Sequence, residues 1–490
     1  MNSFDRRDFL ERTGRLAIAA GVVGVGPALA EIASTGPSAA QLKLVARQIH
    51  GTVVTPSSHA YAQDRLVNDT LYNSARPKAI VYCNSTADVQ KTVSWARKYG
   101  VHLVPRSGGH SYGGYSTTSS GVIVDVSRMK AIQPRGGGTA LIGAGAILID
   151  IYAKLWNRHL MIPGGSCPTV GIAGLTQGGG HGWSGRRFGL TSDNVTQLTI
   201  VTADGQVRVC NAHQNSDLYW ACRGGGGGNF GIVTNFTFKT HSVGNVSTFY
   251  ITWPWSDAAR VVKAWQAWAP HAPSNLGLSV CVLSTGNTIS ASGQFFGSAA
   301  ALRSLIRPLT NTGHPSSVSV TPRSFFDAVL LYAGCNSLAQ CRQPMRSAFR
   351  GKSDYAQKPL SSAGINTIVN GIGAWTRAQA GGFSLILDAY GGAINKVAPA
   401  ATAFAHRRML FSMQYYASPG SGANLAHLNS FYRAMRPYVS GYAYQNYIDP
   451  QLPNWAHAYY GTNYPRLVSI KKKYDPSNFF HFAQSIRLHT

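Results

Sequence analysis

The fold of this protein is indicated by residues 163–194, which read PGGSCPTVGIAGLTQGGGHGWSGRRFGLTSDN. A second glycine-rich loop, VPRSGGHSYGG, precedes this stretch at residues 104–114, and a third, WACRGGGGGNFGIV, follows it at residues 220–233. Because glycine has no Cβ, the backbone N–H groups of such loops can approach an anionic phosphate closely. The three loops therefore predict a dinucleotide cofactor. Neither G-x-x-x-x-G-K-S/T nor a G-x-G-x-x-G that opens a helix is present, which argues against a nucleoside-triphosphate site and a Rossmann fold.

The segments around these loops alternate between strand and helix patterns. Short apolar runs predict strands, and apolar residues at helical spacing predict helices. The predicted strands are 79–82, 101–104, 121–126, 140–143, 198–202 and 232–238. The predicted helices are 88–99, 150–158 and 217–222. This rhythm predicts an α/β unit with the glycine loops between its elements.

After about residue 245 the pattern changes to longer elements with ordinary glycine use. The predicted strands here are 248–253, 278–284 and 383–390, and the predicted helices are 257–268 and 423–435. We therefore expect an α+β fold in two domains. The expected division is 1–30 for an export signal, 31–70 for a linker or the start of the cofactor domain, 71–243 for the cofactor domain, 244–440 for a substrate domain and 441–490 for a C-terminal segment that packs on the cofactor domain.

The chain is strongly basic, with 44 Lys and Arg against 18 Asp and Glu and a formal net charge of +26. Its cations are scattered, and Lys471-Lys472-Lys473 is the only triplet, so nucleic acid is not the expected partner. Anionic polymers of the cell envelope are an alternative partner. Glutamate occurs only at Glu11 and Glu31, so any carboxylate base in the body of the protein must be an aspartate.

The N-terminus is typical of an export signal. Arg6-Arg7 begins a twin-arginine cluster, an apolar stretch covers 16–26, and Ala28-Leu29-Ala30 is a small-residue cleavage site. The apolar stretch is too short to span a bilayer, so stable membrane insertion is not expected. The sequence predicts a secreted or periplasmic protein that is exported already folded.

Seven cysteines are compatible with disulfides in an exported protein but leave at least one cysteine unpaired. Cys335 and Cys341 can close a local loop. None of the cysteine spacings matches a zinc site, so no metal is expected. The oligomeric state stays open.

The three glycine loops together resemble the berberine bridge enzyme-like branch of the vanillyl-alcohol oxidase flavoproteins, whose cofactor domain is of the PCMH type. The resemblance extends over nearly the whole chain after the export signal. In that family the His of the G-G-H-S loop bonds to the 8α-methyl group of FAD, and the Cys of the G-x-C-P-T loop bonds to C6. The resemblance therefore implies covalent attachment of FAD through His110 and Cys167.

The resemblance also implies which residues surround the flavin. Glycine backbone packs against the cofactor, while 106–110 and 232–233 hold its pyrophosphate and adenine ends. Val170 stands where the family admits or blocks oxygen, and a valine resembles the oxygen-reactive members. The predicted cofactor-binding residues are Arg106, Ser107, Gly108, Gly109, His110, Ser111, Gly165, Cys167, Val170, Gly171, Gly174, Gly178, Gly179, His181, Gly182, Gly231, Ile232, Val233, Asn446 and Tyr447.

The C-terminal motif Y-x-N-Y-x-D at 444–449 resembles the family module whose second tyrosine lies over the flavin ring. This residue is Tyr447, the predicted catalytic base. A tyrosine has an ordinary pKa of about 10, so nearby positive charge or a hydrogen bond to the phenolate must lower it. Tyr112, two residues after His110, is expected to line the same pocket.

A partner for Tyr447 is predicted on the strand that ends in D-x-Y-G-G at 388–392. In the family, carbohydrate-oxidising members use the aspartate of this motif and antibiotic-tailoring members use the tyrosine. Asp388 and Tyr390 are both present, and strand alternation predicts that they share one face. Gln414 stands where plant-type members have Glu or Gln, and an amide cannot act as the base.

The resemblance implies an oxidase that transfers a hydride from an alcohol to FAD and then reduces O2 to hydrogen peroxide. The alcohol is either the anomeric carbon of an oligosaccharide or an alcohol of a secondary metabolite. Two alternatives are a dehydrogenase with another acceptor and a basic cell-envelope binding protein without a cofactor. Aromatic residues available to stack on the substrate are Trp253, Trp255, Trp265, Trp268 and Trp375, which also suit an ordinary core.

Overall fold

The first sheet brings the end of a parallel strand directly to the glycine loop that contains His110. The structure is a computed structural model and describes residues 36–489, so the predicted export segment lies outside the described residues. The strands of this sheet are β1 (Thr52–Val54), β2 (Ala79–Tyr82), β3 (Leu103–Arg106) and β4 (Val122–Asp125), in the order β1-β2-β4-β3. Strands β2 and β3 run parallel to β4, and β1 is antiparallel to β2. The loop begins where β3 ends.

A second, antiparallel sheet carries the other glycine loops. The next strands in the chain are β5 (Ile132–Arg135), β6 (Thr139–Gly143), β7 (Leu160–Met161), β8 (Val195–Val201), β9 (Val207–Asn211), β10 (Ile232–Lys239) and β11 (His241–Ser242). Five of them form the sheet β5-β6-β10-β8-β9, and β7 pairs with β11. The third glycine loop leads straight into β10, at the residues predicted to border the cofactor.

Helices cover these sheets and separate the loops. In the first half of the chain they are Ala39–Gln48, Tyr61–Asp64, Thr86–Tyr99, Leu148–Trp156, Ile172–Gln177, Gly185–Phe188 and Ser216–Ala221. The helix Thr86–Tyr99 is typical: the Ser85 side chain accepts from the backbone N–H of Asp88, and Gly100 ends the helix with φ 63°. The strands and helices predicted for this half are present, with ends shifted by a few residues.

The second half of the chain is built on one antiparallel sheet of seven strands. They are β12 (Asn245–Trp253), β13 (Leu276–Ser284), β14 (Thr288–Phe295), β15 (Ser317–Ser324), β16 (Arg350–Ala356), β17 (Gly382–Ala389) and β18 (Phe411–Ser418), in the order β15-β12-β14-β13-β17-β18-β16. The helices here are Ala258–Trp268, Ala299–Leu305, Arg307–Thr310, Phe325–Ala333, Leu338–Cys341, Ser362–Ala378, Gly392–Lys396 and Gly422–Met435. The α+β fold is confirmed, whereas the exact domain boundaries stay predictions.

The two faces of this sheet have different roles. On β17, Phe383, Leu385 and Leu387 are fully buried in the core. The alternate residues Ile386 and Asp388 face the opposite side, where they line a large cavity. One face therefore anchors the domain, and the other is available for a ligand.

Strand β16 is buried although its sequence, RGKSDYA, does not read as a strand. Its polar side chains are paired: Nζ of Lys352 lies 2.7 Å from Asp449, and Asp354 pairs with Arg436. The usual alternation of apolar and polar residues therefore does not identify this strand. Its polar side chains can be buried because oppositely charged groups from later in the chain pair with them and offset the cost of desolvation.

The C-terminal segment packs on the cofactor domain through the helices Trp455–Tyr460 and Tyr464–Tyr474. Lys471, from the triplet considered above as a basic feature, is fully buried and not a surface charge. Its Nζ donates to Asp475 and to the carbonyl of Asn229 at 2.7 Å each. This ammonium group ties the C-terminal segment to the third glycine loop.

Lys471→Met is expected to lower the free energy of unfolding by about 3–5 kcal/mol, because it leaves the buried Asp475 carboxylate without its cation. Thermal and urea unfolding measure the change. Lys472→Met, at the exposed neighbouring position, is the matched control, with an expected change of about 0.5 kcal/mol or less. Equal losses in the two variants would contradict this account of the ion pair.

Candidate active site

A cavity of about 2260 Å³ lies between the glycine loops and the seven-stranded sheet. Ordinary small-molecule pockets measure roughly 300–1,000 Å³, so this cavity has room for a dinucleotide and a substrate together. The first two glycine loops and residues 226–233 form one wall, and β13, β14, β17 and β18 form the other. Residues 444–448 of the C-terminal segment close the gap between them.

His110 and Cys167 both line this cavity, in loops that pack against each other. Nε2 of His110 lies 3.0 Å from Oγ1 of Thr169, two residues beyond Cys167. A Cβ on Gly108 would lie 2.3 Å from the backbone nitrogen of Gly171, so a side chain there would force the loops apart. Burial lowers the pKa of His110 to about 4, so its imidazole is neutral at neutral pH. Cys167 is exposed.

Arg106 provides a buried positive charge at the start of the first loop. Its Nε donates to the carboxylate of Asp125 on β4. Its Nη1 is buried and has no hydrogen-bond partner among residues 36–489. Because an unpartnered buried donor is costly, this guanidinium suits an anionic ligand such as a pyrophosphate.

The floor of the cavity is glycine backbone. Within residues 36–489, a Cβ on Gly174 would meet no atom within 4 Å, and one on Gly227 would approach only Gln177, at 3.7 Å, and Gly174, at 3.9 Å. Gly226 and Gly228 have φ of 84° and 75°, values that favour glycine. Side chains at these positions would occupy the space that a large ligand needs. Together with Arg106, this floor fits a dinucleotide such as FAD.

Most of the predicted cofactor-binding residues line the cavity. Those that line the cavity are Arg106, Ser107, Gly108, Gly109, His110, Ser111, Gly165, Cys167, Val170, Gly171, Gly174, His181, Gly182, Gly231, Ile232, Val233, Asn446 and Tyr447. Gln177 and residues 226–229 also line it but were not predicted individually. The run of five glycines at 224–228 was the signal that pointed to them.

Gly178 and Gly179, two of the predicted cofactor-binding residues, do not line the cavity. A Cβ on Gly178 would lie 1.8 Å from Oδ1 of Asn446, and one on Gly179 would lie 2.7 Å from the Phe404 ring. At both positions the absence of a side chain makes room for another protein segment. The Asn446 amide is itself used internally, since Nδ2 donates to the Leu175 carbonyl at 3.0 Å.

Tyr447 lies at the end of the short 3-10 turn Gln445–Tyr447, where the C-terminal segment reaches the cavity. Its ring stacks on Tyr112, with centroids 5.3 Å apart and planes inclined by 19°. The Tyr112 hydroxyl accepts from Nε2 of Gln414 on β18 at 2.8 Å. The Tyr447 hydroxyl lies 3.2 Å from Nε2 of His181 in the second glycine loop. The loops that contain Tyr112 and His181 thus both contact the side chain of Tyr447.

The sequence led us to expect that a nearby positive charge or a hydrogen bond to the phenolate lowers the pKa of Tyr447, but the surroundings of Tyr447 raise its pKa instead. Burial raises the pKa of Tyr447 well above its ordinary value, and Asp388, Tyr112, Tyr444 and Cys167 raise it further. The phenol is therefore neutral at neutral pH. It can accept a proton only if its own proton moves to another group at the same time.

Asp388 lines the cavity, but Tyr390 does not. Strand β17 ends at Ala389, and the chain then turns at Gly391, where φ is 100°. The Tyr390 ring is fully buried, and its hydroxyl lies 3.1 Å from that of Tyr355. Alternation predicted a shared face for Asp388 and Tyr390, but it stops applying where the strand ends.

The tryptophans are divided between core and cavity. Trp265 and Trp268 donate to Ser279 and to the Leu305 carbonyl within the domain and do not line the cavity. Trp253 and Trp255 border it. Trp375 also borders it, although it is almost fully buried against Phe383.

Two family models match the chain. Residues 77–211 match the FAD binding domain model, and residues 443–487 match the berberine and berberine-like model. The first match contains His110 and Cys167, and the second contains Tyr447.

Similar proteins come from bacteria, plants and fungi. The FAD-linked oxidoreductase YgaK of Bacillus subtilis is 36% identical over 90% of this chain and 97% of its own. Berberine bridge enzyme-like 1 of Arabidopsis thaliana is 30% identical, with 88% of this chain and 87% of its own covered. A chitooligosaccharide oxidase of Gibberella zeae is 29% identical over 88% of this chain and 92% of its own.

Solved structures share the whole architecture. BBE-like 1 of Physcomitrella patens superposes with a TM-score of 0.85 at 34% identity, over 92% of this chain and 99% of its own. A variant of the grass pollen allergen Phl p 4, described as a glucose dehydrogenase, has a TM-score of 0.83 at 28% identity, over 91% and 99%. The same variant with one further isoleucine-to-valine substitution is described as a glucose oxidase.

Proposed function

Because the chain belongs to the berberine bridge enzyme-like family of FAD-linked oxidoreductases, we propose that it oxidises an alcohol carbon of a sugar or oligosaccharide and reduces O2 to hydrogen peroxide. The observation that carries the proposal is the convergence of Tyr447, Tyr112 and Asp388 on the cavity that His110 and Cys167 also line. When bound, FAD accepts a hydride from the substrate carbon and passes the two electrons on to the acceptor.

We propose that His110 and Cys167 hold FAD covalently. A neutral imidazole has a nitrogen lone pair for bond formation, and the lowered pKa of His110 keeps the ring in this form. Since Nε2 is engaged with Thr169, Nδ1 is the nitrogen available for the bond. The exposure of Cys167 supports its access to the ring, and the unpartnered Nη1 of Arg106 supports binding of the pyrophosphate.

The chemistry of the opposite wall supports a polyhydroxyl substrate over an aromatic alcohol. Its strands carry many hydroxyl groups, and Trp253 and Trp255 at the border can stack on a sugar ring. The hydroxyl oxygens of Ser284 and Ser384 lie 2.9 Å apart, and those of Thr252 and Ser317 lie 2.7 Å apart. The serine and threonine residues of the seven-stranded sheet that line the cavity are Thr252, Ser284, Thr288, Ser290, Ser292, Ser317, Ser319, Ser384 and Ser418.

We propose Tyr447 as the base that takes the substrate hydroxyl proton, with Asp388 as its acidic neighbour. The stacked Tyr112 fixes the plane of the Tyr447 ring, and Gln414 in turn holds the Tyr112 hydroxyl. The cavity position of Asp388 supports it over Tyr390 as the strand residue that assists.

A substrate screen with peroxide detection tests this function directly. Purified protein is incubated with monosaccharides, oligosaccharides and aromatic alcohols in air. We expect peroxide with sugars of one or more units. Peroxide formation with aromatic alcohols alone would contradict the proposed sugar substrate and indicate an alcohol of a secondary metabolite instead. No flavin reduction by any member, with oxygen removed, would contradict the proposed reaction.

The proposal that O2 is the electron acceptor rests on Val170, a half-buried residue of the cavity wall beside Cys167. The two Phl p 4 variants show that, in that protein, one isoleucine-to-valine substitution accompanies the change from dehydrogenase to oxidase. A dehydrogenase that uses another acceptor is the second candidate. Reduction by substrate without oxygen, followed by exposure to air, separates the two: reduced flavin that persists for minutes identifies a dehydrogenase.

Val170→Ile is expected to slow reoxidation by air about tenfold, equivalent to about 1.4 kcal/mol of barrier, because the added methylene narrows access to the cavity. Stopped-flow absorbance measures reoxidation and substrate reduction separately, and reduction is expected to stay unchanged. Unaltered reoxidation would remove Val170 from the oxygen path.

The place of action is proposed to be outside the cytoplasm. The twin-arginine cluster at Arg6-Arg7 supports export of a folded protein. The Cys335–Cys341 disulfide suits an oxidising compartment. Among residues 36–489, no helix has both the length and the apolar character needed to cross a membrane.

A further inference from the structure

The neutral state of Tyr447 requires a second group at the site. If the phenol accepts the hydroxyl proton of a substrate, its own proton must leave. Gln414 cannot take a proton, and Tyr112 covers the face of the Tyr447 ring. The hydrogen-bond partner at the Tyr447 hydroxyl is Nε2 of His181, at 3.2 Å.

We propose that His181 is the proton acceptor for Tyr447, so that the substrate proton reaches the Tyr447 oxygen while the Tyr447 proton moves to Nε2 of His181. This inference rests on the proposed function. The substrate O–H and C–H bonds break and a C=O bond forms; the hydride is taken by the flavin oxidant. The proton on His181 is released when the acceptor of the two electrons, O2, also takes up protons.

The position of His181 is set by its backbone neighbours. The N–H of Gly180 donates to the Tyr444 hydroxyl at 2.9 Å, and a Cβ on Gly182 would lie 1.7 Å from the carbonyl oxygen of Gly164. The imidazole meets the Tyr447 ring edge-on, with planes at 84°. Both ends of the contact are therefore held by the fold.

The second nitrogen of His181 supports a role beyond packing. Nδ1 is buried and has no hydrogen-bond partner within the part of the chain that the structure describes, and His181 lines the cavity. A neutral imidazole that accepts at Nε2 carries its hydrogen on Nδ1. This hydrogen is available to a cofactor, a substrate or a water molecule in the cavity.

The charges around the pair favour the transfer. Burial lowers the pKa of His181, so the ring is neutral and able to accept, while Asp388 acts in the opposite direction and stabilises the imidazolium once it forms. The other titratable groups that face the pair are Tyr112, Cys167, Tyr390 and Tyr444. A carboxylate that supports an imidazole in this way is a common arrangement in general-base catalysis.

The decisive variant is His181→Gln. A glutamine can keep a hydrogen bond to Tyr447 but cannot accept a proton. We expect the rate of flavin reduction by substrate, measured without oxygen, to fall by about 10² or more, with the bound flavin retained. His181→Phe is expected to lose at least as much. Retention of the rate within about threefold in His181→Gln would overturn the proposal.

The pH profile separates proton acceptance from positioning. His181 must be neutral to accept, so the wild-type rate is expected to fall as pH drops through the pKa of His181, below the ordinary histidine value. This acid limb should disappear in His181→Gln and stay in His241→Gln. His241 is the matched control, since burial also lowers its pKa, to about 4, but it lies outside the cavity against Phe188. A limb lost only in Asp388→Asn would assign the acceptor to Asp388 and overturn the proposal.

A readout without turnover tests the contact itself. In holoenzyme labelled with 15N-histidine, the His181 signal is identified by its loss in His181→Gln. Tyr447→Phe is expected to shift the Nε2 resonance of this histidine and to leave the His241 signal unchanged. An unshifted resonance would overturn the proposal. Failure of the wild type to reduce its flavin with any substrate would instead contradict the proposed function.

Discussion

His110→Ala combined with Cys167→Ala is expected to release the yellow cofactor when the protein is denatured, whereas the unmutated protein should keep its colour through denaturation. Noncovalent contacts with the cofactor depend on the folded loops, so they are lost on unfolding. Covalent bonds survive it. The measurement is absorbance near 450 nm in the protein and filtrate fractions after denaturation and ultrafiltration.

The single variants serve as the test of two attachments. Each should retain the flavin after denaturation, because the other bond remains. Cys281→Ala, at a buried cysteine outside the cavity, is the control for loss of a thiol. Release of flavin from the denatured wild type would refute covalent attachment. Release from only one of the two single variants would show that the residue substituted in that variant forms the only covalent bond.

The titration state of His110 adds a dependence on pH to this prediction. Attachment needs the neutral ring, and the pKa of His110 lies at about 4. Incorporation of added FAD into flavin-free protein is therefore expected to proceed at neutral pH and to slow as pH falls toward 4. Mass spectrometry of denatured protein measures the bound fraction.

Tyr447→Phe is expected to lower turnover by about 10² or more while the protein keeps its colour. The phenylalanine ring preserves the stack on Tyr112 but removes the oxygen that receives the substrate proton. Steady-state kinetics with peroxide detection measures the loss, and the flavin spectrum verifies that the cofactor is in place. The reduction in rate should appear in kcat more than in KM, since the ring still fills its space.

Tyr442→Phe is the matched control for this variant. Tyr442 lies in the same C-terminal segment but does not line the cavity, and its ring packs on His406 and His457. Its substitution is expected to leave turnover unchanged within about twofold, as for a position away from the reacting atoms. Near-normal turnover in Tyr447→Phe would assign the base to another residue.

Much of the fold was predictable because its signals are local. The strand at 79–82 and the helix that ends at Tyr99 follow from apolar spacing, from the Ser85 cap and from Gly100. The glycine loops were recognisable because glycine is needed wherever backbone segments approach each other closely. Strand β16 was not predicted, since its burial depends on Arg436 and Asp449, far away in the sequence.

The candidate site was only partly predictable for the same reason. Tyr390 was placed with Asp388 by alternation, but the strand ends one residue too early for this pattern to hold. Glycine that admits a ligand and glycine that admits another segment look identical in sequence, so only the structure shows that Asn446 and Phe404 lie against Gly178 and Gly179.

The sequence by itself determined the chemistry that this protein has available: glycine loops for a dinucleotide, a His and a Cys placed within them, a tyrosine motif near the C-terminus, and no glutamate after Glu31. These are properties of residue type and short spacing. Only the tertiary structure decided which groups act on each other. The contact of His181 with Tyr447 joins residues 266 positions apart, and the neutral state of that phenol results from burial between domains, which no local pattern encodes.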